Sequence, residues 1–197
     1  MSEIDVMTRW HYIGYDCWSM PGDGYLYGDC ESSALAYNIR IDAYRTSDVF
    51  LEATVAAQGS VFAASGQERY YSGFGLVAED DPVMSYATIQ LARNVAPAEY
   101  GRHTISLTLD GVAYTLMEAV PDQTYRLRLR YLGRTNSLLV YVDGVLKKTT
   151  KWYPTMAPYV EVINVAVEAG QVGPERASCT IGSLTYNVST YTTEGWS

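Results

Sequence analysis

The sequence is poor in the residues that build metal centres and disulfide frameworks, with three cysteines and two histidines among 197 residues. His11 and His103 have no cysteines at zinc-ligand spacing, so no zinc site is predicted. Three cysteines leave at least one thiol unpaired, which favours a reducing compartment. A disulfide between Cys17 and Cys30 across an early turn stays an alternative.

Long apolar runs are also absent. No stretch of about 18 apolar residues is long enough to cross a membrane, so we expect no membrane partner. The first residues, MSEIDVMTRW, lack the basic and apolar regions of a secretion signal. The localisation therefore stays open between the cytoplasm and a secreted protein whose signal lies outside this sequence.

Positive charge is scarce, because Lys and Arg number 14 while Asp and Glu number 22, which gives a net charge of −8. Nucleic-acid phosphates would be repelled, so no nucleic-acid partner is expected. Phenylalanine is scarce too, with three residues against 18 tyrosines. Tyrosine joins an apolar ring to a polar tip, which suits half-buried strands and also flat sugar-binding surfaces.

The clearest pattern that is present lies at residues 124–146, TYRLRLRYLGRTNSLLVYVDGVL. Tyrosines and leucines alternate with Arg126, Arg128 and Arg130, which predicts a strand with one buried face. The GRTN stretch predicts a turn and LLVYV a return strand. The Asp-Gly pair at 143–144 predicts a two-residue hairpin turn.

Similar alternation recurs along the chain. At residues 49–55 we expect Phe50 to face the core together with the leucine, alanine and valine that follow it, and a further Asp-Gly hairpin is predicted at 110–111. About twelve strands with no helix are predicted. The predicted fold class is therefore all-β, a two-sheet antiparallel β-sandwich that forms a single domain over residues 1–197.

Four segments resemble the concanavalin A-like superfamily of jelly rolls, the laminin-G-like and glucanase-like β-sandwiches. They are WSMPGDGYL at 18–26, DVFLEATV at 48–55, YSGFGLVA at 71–78 and the hairpin just described. The likeness spans residues 18–186 and concerns hydrophobic positions and turns rather than catalytic residues. It implies a jelly roll whose concave sheet is a carbohydrate groove, with an oligosaccharide or polysaccharide as the partner.

The resemblance also implies calcium, which many of these sandwiches hold through carboxylate and carbonyl oxygens. Asp23, in the opening turn, fits such a position. The acid expected before the final strand is replaced by Ala177-Ser178-Cys179, so the calcium expectation rests on Asp23. No other cofactor is expected, because no phosphate-binding glycine loop or cofactor fingerprint is present.

Two groups of residues are candidate sugar ligands. Tyr86 and Gln90 lie on a polar stripe of a strand whose other face is apolar, and such stripes line the groove of related jelly rolls. Arg128 and Arg130 are expected to donate to sugar hydroxyls or a carboxylate, with Glu52 as a cross-strand neighbour. The alternative for the arginines is a solvated face with surface ion pairs, in which Glu118 and Glu161 would also take part.

A proline-stiffened loop carries Trp152 and Tyr153, which could flank the same groove. Trp152 is then either an exposed platform for a sugar ring or a buried anchor of the loop. The sequence leaves both alternatives open.

Hydrolysis of a glycosidic bond usually needs paired carboxylates. The E-x-D-x-E strand of glucanases in this superfamily is missing, and Glu161 and Glu168, seven residues apart, fall on opposite faces of a strand. This pattern favours a protein without that activity.

The sequence therefore favours a non-catalytic, lectin-like module that presents a concave sheet to a glycan. The first alternative is a sugar-active jelly-roll enzyme, either a glycoside hydrolase or a lyase-like enzyme similar to the 3-keto-disaccharide hydrolases, with His103 or Glu52 as a base near Arg128. The second is an interaction domain, such as the accessory subunit of a parent enzyme, a homo-oligomer or a phage-type surface protein.

Overall fold

The computed structural model describes residues 18–19, 25–31, 35–39, 48–58, 68–80, 83–93, 103–120, 123–156, 158–168 and 176–189. These residues form thirteen strands, one more than the alternation predicts. The strands are β1 (Trp18–Ser19), β2 (Tyr25–Glu31), β3 (Leu35–Ile39), β4 (Asp48–Gln58), β5 (Glu68–Asp80), β6 (Val83–Arg93), β7 (His103–Leu109), β8 (Val112–Glu118), β9 (Thr124–Leu132), β10 (Ser137–Val142), β11 (Val145–Lys151), β12 (Tyr159–Glu168) and β13 (Arg176–Ser189). Among the described residues, no helix is long and apolar enough to span a membrane.

The strands form two sheets. The seven-stranded sheet has the order β1-β2-β13-β4-β9-β10-β11, and the six-stranded sheet has the order β3-β12-β5-β6-β7-β8. Neighbouring strands pair antiparallel in both sheets. The predicted all-β, two-sheet antiparallel sandwich is therefore confirmed.

The inner face of the seven-stranded sheet follows directly from the alternation in β9. Tyr125, Leu127, Leu129 and Tyr131 are buried in the core, and the three arginines between them face outwards. The valines and leucines of β4 and β10 complete this face. Burying a leucine or valine side chain fully is worth about 1.5–3 kcal/mol, so this hairpin fixes the orientation of its sheet.

One residue of β4 is oriented differently from the prediction. Val49 and Leu51 are buried, whereas Phe50 is half-exposed and lies on the outer face with Glu52. Adjacent residues of a strand point to opposite faces, so Phe50 and Leu51 cannot both enter the core. The prediction for Phe50 was wrong.

The inner face of the six-stranded sheet packs against these residues, with Phe74 and Leu76 from β5, Ile89 from β6, and Ile105 and Leu107 from β7 all fully buried. Its outer face is different in kind. Glycines and polar side chains alternate with the apolar core residues along the same three strands.

Both predicted Asp-Gly hairpin turns are present, and each is fastened to a third strand in the same way. Asp110 and Asp143 have φ of 46° and 49°, a left-handed conformation that asparagine and aspartate tolerate better than most residues. Each backbone N–H donates to the carbonyl of the strand beyond the hairpin, Tyr86 for Asp110 and Arg126 for Asp143. Each carboxylate in turn accepts the N–H of that same residue at 2.8 Å.

We expect Asp143→Ala to lower the free energy of unfolding by about 1–3 kcal/mol. Alanine removes the acceptor for the Arg126 N–H and is poorly suited to the positive φ. Asp143→Asn keeps a side-chain oxygen and tolerates that φ, so it should cost less than half as much. Urea denaturation of both variants measures the difference, and equal losses would mean that the carboxylate does not fasten the turn.

Candidate functional site

The residues predicted to bind a sugar together lie on opposite sides of the sandwich. Tyr86 and Gln90 belong to β6 and face outwards from the six-stranded sheet. Glu52, Arg128 and Arg130 face outwards from the seven-stranded sheet. Packed sheets are about 10 Å apart and their outer faces point away from each other, so one sugar unit cannot touch both groups.

Trp152 is the buried anchor of its loop and not an exposed platform for a sugar ring. Its side chain is 1% exposed, and its ring meets that of Tyr131 edge to face with centroids 5.3 Å apart. Its indole Nε1 donates to Ser85 Oγ at 2.8 Å, and Ser85 Oγ donates to Asp110 Oδ1 at 2.7 Å. Trp152 therefore anchors its loop to both sheets, and Tyr153 beside it is the exposed aromatic residue.

The outer face of the six-stranded sheet carries a run of polar side chains, which we call the polar strip. It consists of Thr88, Gln90, Thr104, Ser106 and Thr108. In the register of β6 and β7, Thr88 is opposite Thr108 and Gln90 is opposite Ser106, so the side chains of both strands share this face. Tyr86 continues the strip at one end of β6.

The polar strip is buried although it lies outside the hydrophobic core. The exposed fractions of Thr88, Gln90, Thr104 and Ser106 lie between 2% and 7%. Gln90 Nε2 donates to Thr108 Oγ1 at 3.2 Å, whereas Thr104 Oγ1 has no hydrogen-bond partner in the part of the chain that the structure describes. Most buried polar groups in proteins have a partner, so an unpartnered hydroxyl in such a strip indicates a place where a ligand group could bind.

Two glycines of β5 bring this strand unusually close to β6. Gly73 is paired with Gln90 and Gly75 with Thr88. A Cβ atom on Gly73 would lie 2.1 Å from the carbonyl oxygen of Ile89, a separation that real side chains do not reach. Glycine inside a strand is typical of a close approach by a neighbouring strand, a bulge or a ligand, and here the neighbouring strand makes the approach.

Two glutamates belong to the strands that flank β5, β6 and β7 in this sheet. Glu118 of β8 is opposite Thr104, and the backbone of Glu161 in β12 is opposite Gly75. Both belong to the six-stranded sheet, so they are not the partners of the arginines. His103 also belongs to this sheet, so of the two candidate bases His103 is separated from Arg128, whereas Glu52 lies beside it.

The outer face of the seven-stranded sheet has its own charged cluster. The Glu52 carboxylate accepts hydrogen bonds from Arg126 Nη2 and Arg128 Nε, so Glu52 is a cross-strand partner of the arginines. The Arg128 guanidinium carbon lies 5.2 Å from the ring centroid of Phe50 and 5.4 Å from that of Tyr141. These contacts hold Arg128 in a fixed orientation.

The expected calcium site falls outside the part of the chain that the structure describes, because Asp23 is not among the described residues. The side chains of Cys17 and Cys30 are likewise outside it. Among the described side chains, no group of three or more His, Cys, Asp or Glu residues is placed to hold a metal ion.

Sequence reasoning missed the three residues of the polar strip that lie on β7. It identified Tyr86 and Gln90 of β6. It did not identify Thr104, Ser106 and Thr108 of β7, although residues 104–109, TISLTL, alternate between polar and apolar in the same way. The alternation was readable, but the pairing of β7 with β6 was the missing information. That pairing turns two separate stripes into one surface.

No family model matches the sequence, and no curated protein matches it. Solved structures do resemble it. An alginate lyase from Alteromonas sp. 272 is 13% identical with a TM-score of 0.69, over 96% of this chain and 100% of that one. The polysaccharide lyase family 18 enzyme aly-SJ02 is 14% identical with a TM-score of 0.66, over 95% and 98% of the two chains.

A sialidase is also similar, at 12% identity and a TM-score of 0.63, but the present chain covers only 17% of its length. At these identities the likeness concerns the fold. It nevertheless corrects the expectation of a non-catalytic, lectin-like module, because many of the similar structures are alginate lyases, which are polysaccharide-degrading enzymes.

Proposed function

We propose that this chain is an enzyme that degrades a polysaccharide bound along the polar strip, because its fold is similar to that of several alginate lyases. The location is supported by Thr104, a residue that is 3% exposed and whose hydroxyl has no hydrogen-bond partner among the described residues. Sugar hydroxyls both donate and accept hydrogen bonds, so they match a strip of threonine, serine and glutamine side chains.

Elimination suits the described residues better than hydrolysis. A pair of hydrolytic carboxylates stands about 5–10 Å apart. Glu118 and Glu161 are on β8 and β12, which are four strands apart in the six-stranded sheet, and four strand spacings amount to about 19 Å between backbones. These two acids therefore cannot act as a hydrolytic pair.

Elimination acts on a uronate unit. A base removes the proton from the carbon next to the carboxylate, a C=C bond forms, the glycosidic C–O bond breaks, and the leaving oxygen takes up a proton. The reaction needs donors that stabilise the carboxylate as negative charge builds on it. The Gln90 amide has two N–H bonds, of which one is directed at Thr108, and we assign the other to the substrate carboxylate.

Two further residues receive supporting roles. Glu118, opposite Thr104 in the register, is our candidate for the group that accepts the proton. Tyr86 is four residues from Gln90 along β6, a distance of about 13 Å, so it would contact a neighbouring sugar unit rather than the reacting one.

Incubation with a panel of uronate polymers, including alginate, and neutral polymers tests the reaction class. Elimination gives a product with an unsaturated sugar that absorbs in the ultraviolet, whereas hydrolysis gives new reducing ends without that absorbance. We expect absorbance to rise with a uronate polymer and to disappear in Gln90→Ala. Reducing ends without absorbance would contradict elimination, and the absence of both would contradict the proposed function.

The Thr104→Val variant tests whether the Thr104 hydroxyl binds substrate or only stabilises the fold. Valine has nearly the same shape, and the Thr104 hydroxyl has no partner to lose, so the melting temperature should stay the same or rise. If that hydroxyl contacts substrate, KM should rise about two- to thirteenfold, since a hydrogen bond is worth about 0.5–1.5 kcal/mol. Thr155→Val, at an exposed position in the loop after β11, is the matched control and should change neither quantity. An unchanged KM in Thr104→Val would remove the polar strip from the binding site.

A further inference from the structure

We propose that the outer face of the seven-stranded sheet is a second binding surface for acidic sugar units, centred on Arg130. We call it the arginine surface, and it consists of Phe50, Arg126, Arg128, Arg130 and Tyr141. The choice of an acidic polysaccharide as its ligand rests on the proposed function. The surface itself is argued from its charge and geometry.

The arginine surface is ordered before any ligand arrives. Glu52, whose side chain is 12% exposed, holds both Arg126 and Arg128. Phe50 and Tyr141 flank the Arg128 guanidinium. Binding at such a surface loses less side-chain entropy than binding to free arginines, which favours a specific ligand over diffuse attraction.

Arg130 carries the charge that the cluster leaves uncompensated. Its side chain is exposed, and among the described residues its guanidinium has no ion-pair partner. Its neighbours in the cross-strand row are Phe50 on β4 and Leu139 on β10, both half-buried. A carboxylate can accept two parallel hydrogen bonds from a guanidinium while the sugar ring lies against these apolar side chains.

The arginine surface is positively charged, whereas the protein as a whole is negatively charged. Three arginines against Glu52 and Asp48, which share this face of β4, leave a local excess of one positive charge in a chain whose net charge is −8. An acidic polymer is repelled by most of such a protein, so a local cationic surface is where it would first be held. Arginine is also the cation best suited to paired hydrogen bonds with a carboxylate.

The arginine surface and the polar strip are on opposite sides of the sandwich. A short oligosaccharide can therefore occupy only one of them, whereas a long chain can contact both. Two linked contacts bind more tightly than either alone, so this surface should matter for long chains and not for short ones.

The test compares the wild type with Arg130→Gln, Arg130→Lys and Lys147→Gln. Lys147 is exposed on β11, so Lys147→Gln removes the same charge from the same sheet outside the arginine surface. The probes are long alginate chains, an alginate trisaccharide and a neutral glucan of similar length. Calorimetry measures binding, and ultraviolet absorbance measures turnover of the trisaccharide.

We expect Arg130→Gln to weaken binding of long alginate roughly tenfold, as for the loss of a charge-assisted pair of hydrogen bonds. Arg130→Lys should lie in between, because lysine keeps the charge but not the paired geometry. Lys147→Gln should bind like the wild type. Trisaccharide turnover and the melting temperature should be unchanged in all three variants.

The proposal is overturned if Arg130→Gln and Lys147→Gln bind long alginate equally well, or if the neutral glucan depends on Arg130 as strongly as alginate does. If either outcome is found and Thr104→Val nevertheless raises KM, the arginine surface is contradicted but the proposed function is supported. Conversely, loss of alginate binding in Arg130→Gln without turnover of any polymer would support the arginine surface and contradict the proposed function.

Discussion

Replacing Trp152 with alanine is expected to lower the free energy of unfolding by about 3–5 kcal/mol. For a domain of this size, that loss corresponds to a fall in melting temperature of about 6–20 °C. The side chain is among the largest that are fully buried, and it packs against Tyr131 while donating to Ser85. Alanine leaves both a cavity and a serine hydroxyl that has lost its donor.

Two variants separate the contributions at this site. Trp152→Phe keeps the aromatic packing but loses the indole N–H, so it should cost about 1–3 kcal/mol. Tyr153→Ala removes an aromatic ring of which 61% is exposed and should stay within about 0.5 kcal/mol of the wild type. Denaturant unfolding measures all three. Equal stability of Trp152→Ala and Tyr153→Ala would show that Trp152 does not anchor its loop in solution.

The second large effect is expected from Gly75→Ala, which should cost about 3 kcal/mol or more. The new Cβ would lie 2.3 Å from the carbonyl oxygen of Ala87 and 2.6 Å from the Cα of Thr88. Both are backbone atoms, so β5 and β6 would have to separate. Because Thr88 belongs to the polar strip, substrate binding should weaken together with stability.

Gly144→Ala is the matched control for this prediction. A Cβ at Gly144 meets no atom within 4 Å, but φ is +79°. The free energy of unfolding should therefore fall by only about 1–2 kcal/mol, which is the penalty for placing a residue with a side chain in the left-handed conformation. Amide hydrogen exchange should show faster exchange in β5 and β6 for Gly75→Ala and not for Gly144→Ala. Equal losses of stability, without that local change, would contradict the close approach of the two strands.

The fold was predictable where one face of a strand is buried and the other is not. The alternation in β9 gave the correct faces for its tyrosines, leucines and arginines, and both Asp-Gly turns were found from two residues each. Phe50 was misassigned because it is apolar but lies on the outer face beside Glu52 and Arg128. Aromatic packing against a guanidinium leaves no signal in the alternation.

The candidate site was less predictable, because its residues depend on which strands become neighbours. Glu52 and Arg126 are 74 residues apart in the sequence, and their contact exists because β4 pairs with β9. Gln90 and Arg128 both carry polar groups suited to sugars, but they belong to different sheets. The residues next to them in the sequence do not indicate which sheet each strand joins. A single predicted groove therefore became two surfaces.

The order of the strands has a consequence for the making of the protein. β2 joins the seven-stranded sheet through β13, and β3 joins the six-stranded sheet through β12. β2 and β3 are made before β13 and β12, so until those strands emerge β2 has only the two-residue β1 beside it and β3 has no partner among the described strands. Closing such long sequence separations is slow, and unpaired strand edges are exposed to neighbouring chains in the meantime. One edge of each sheet can therefore be completed only after β12 and β13 have been made.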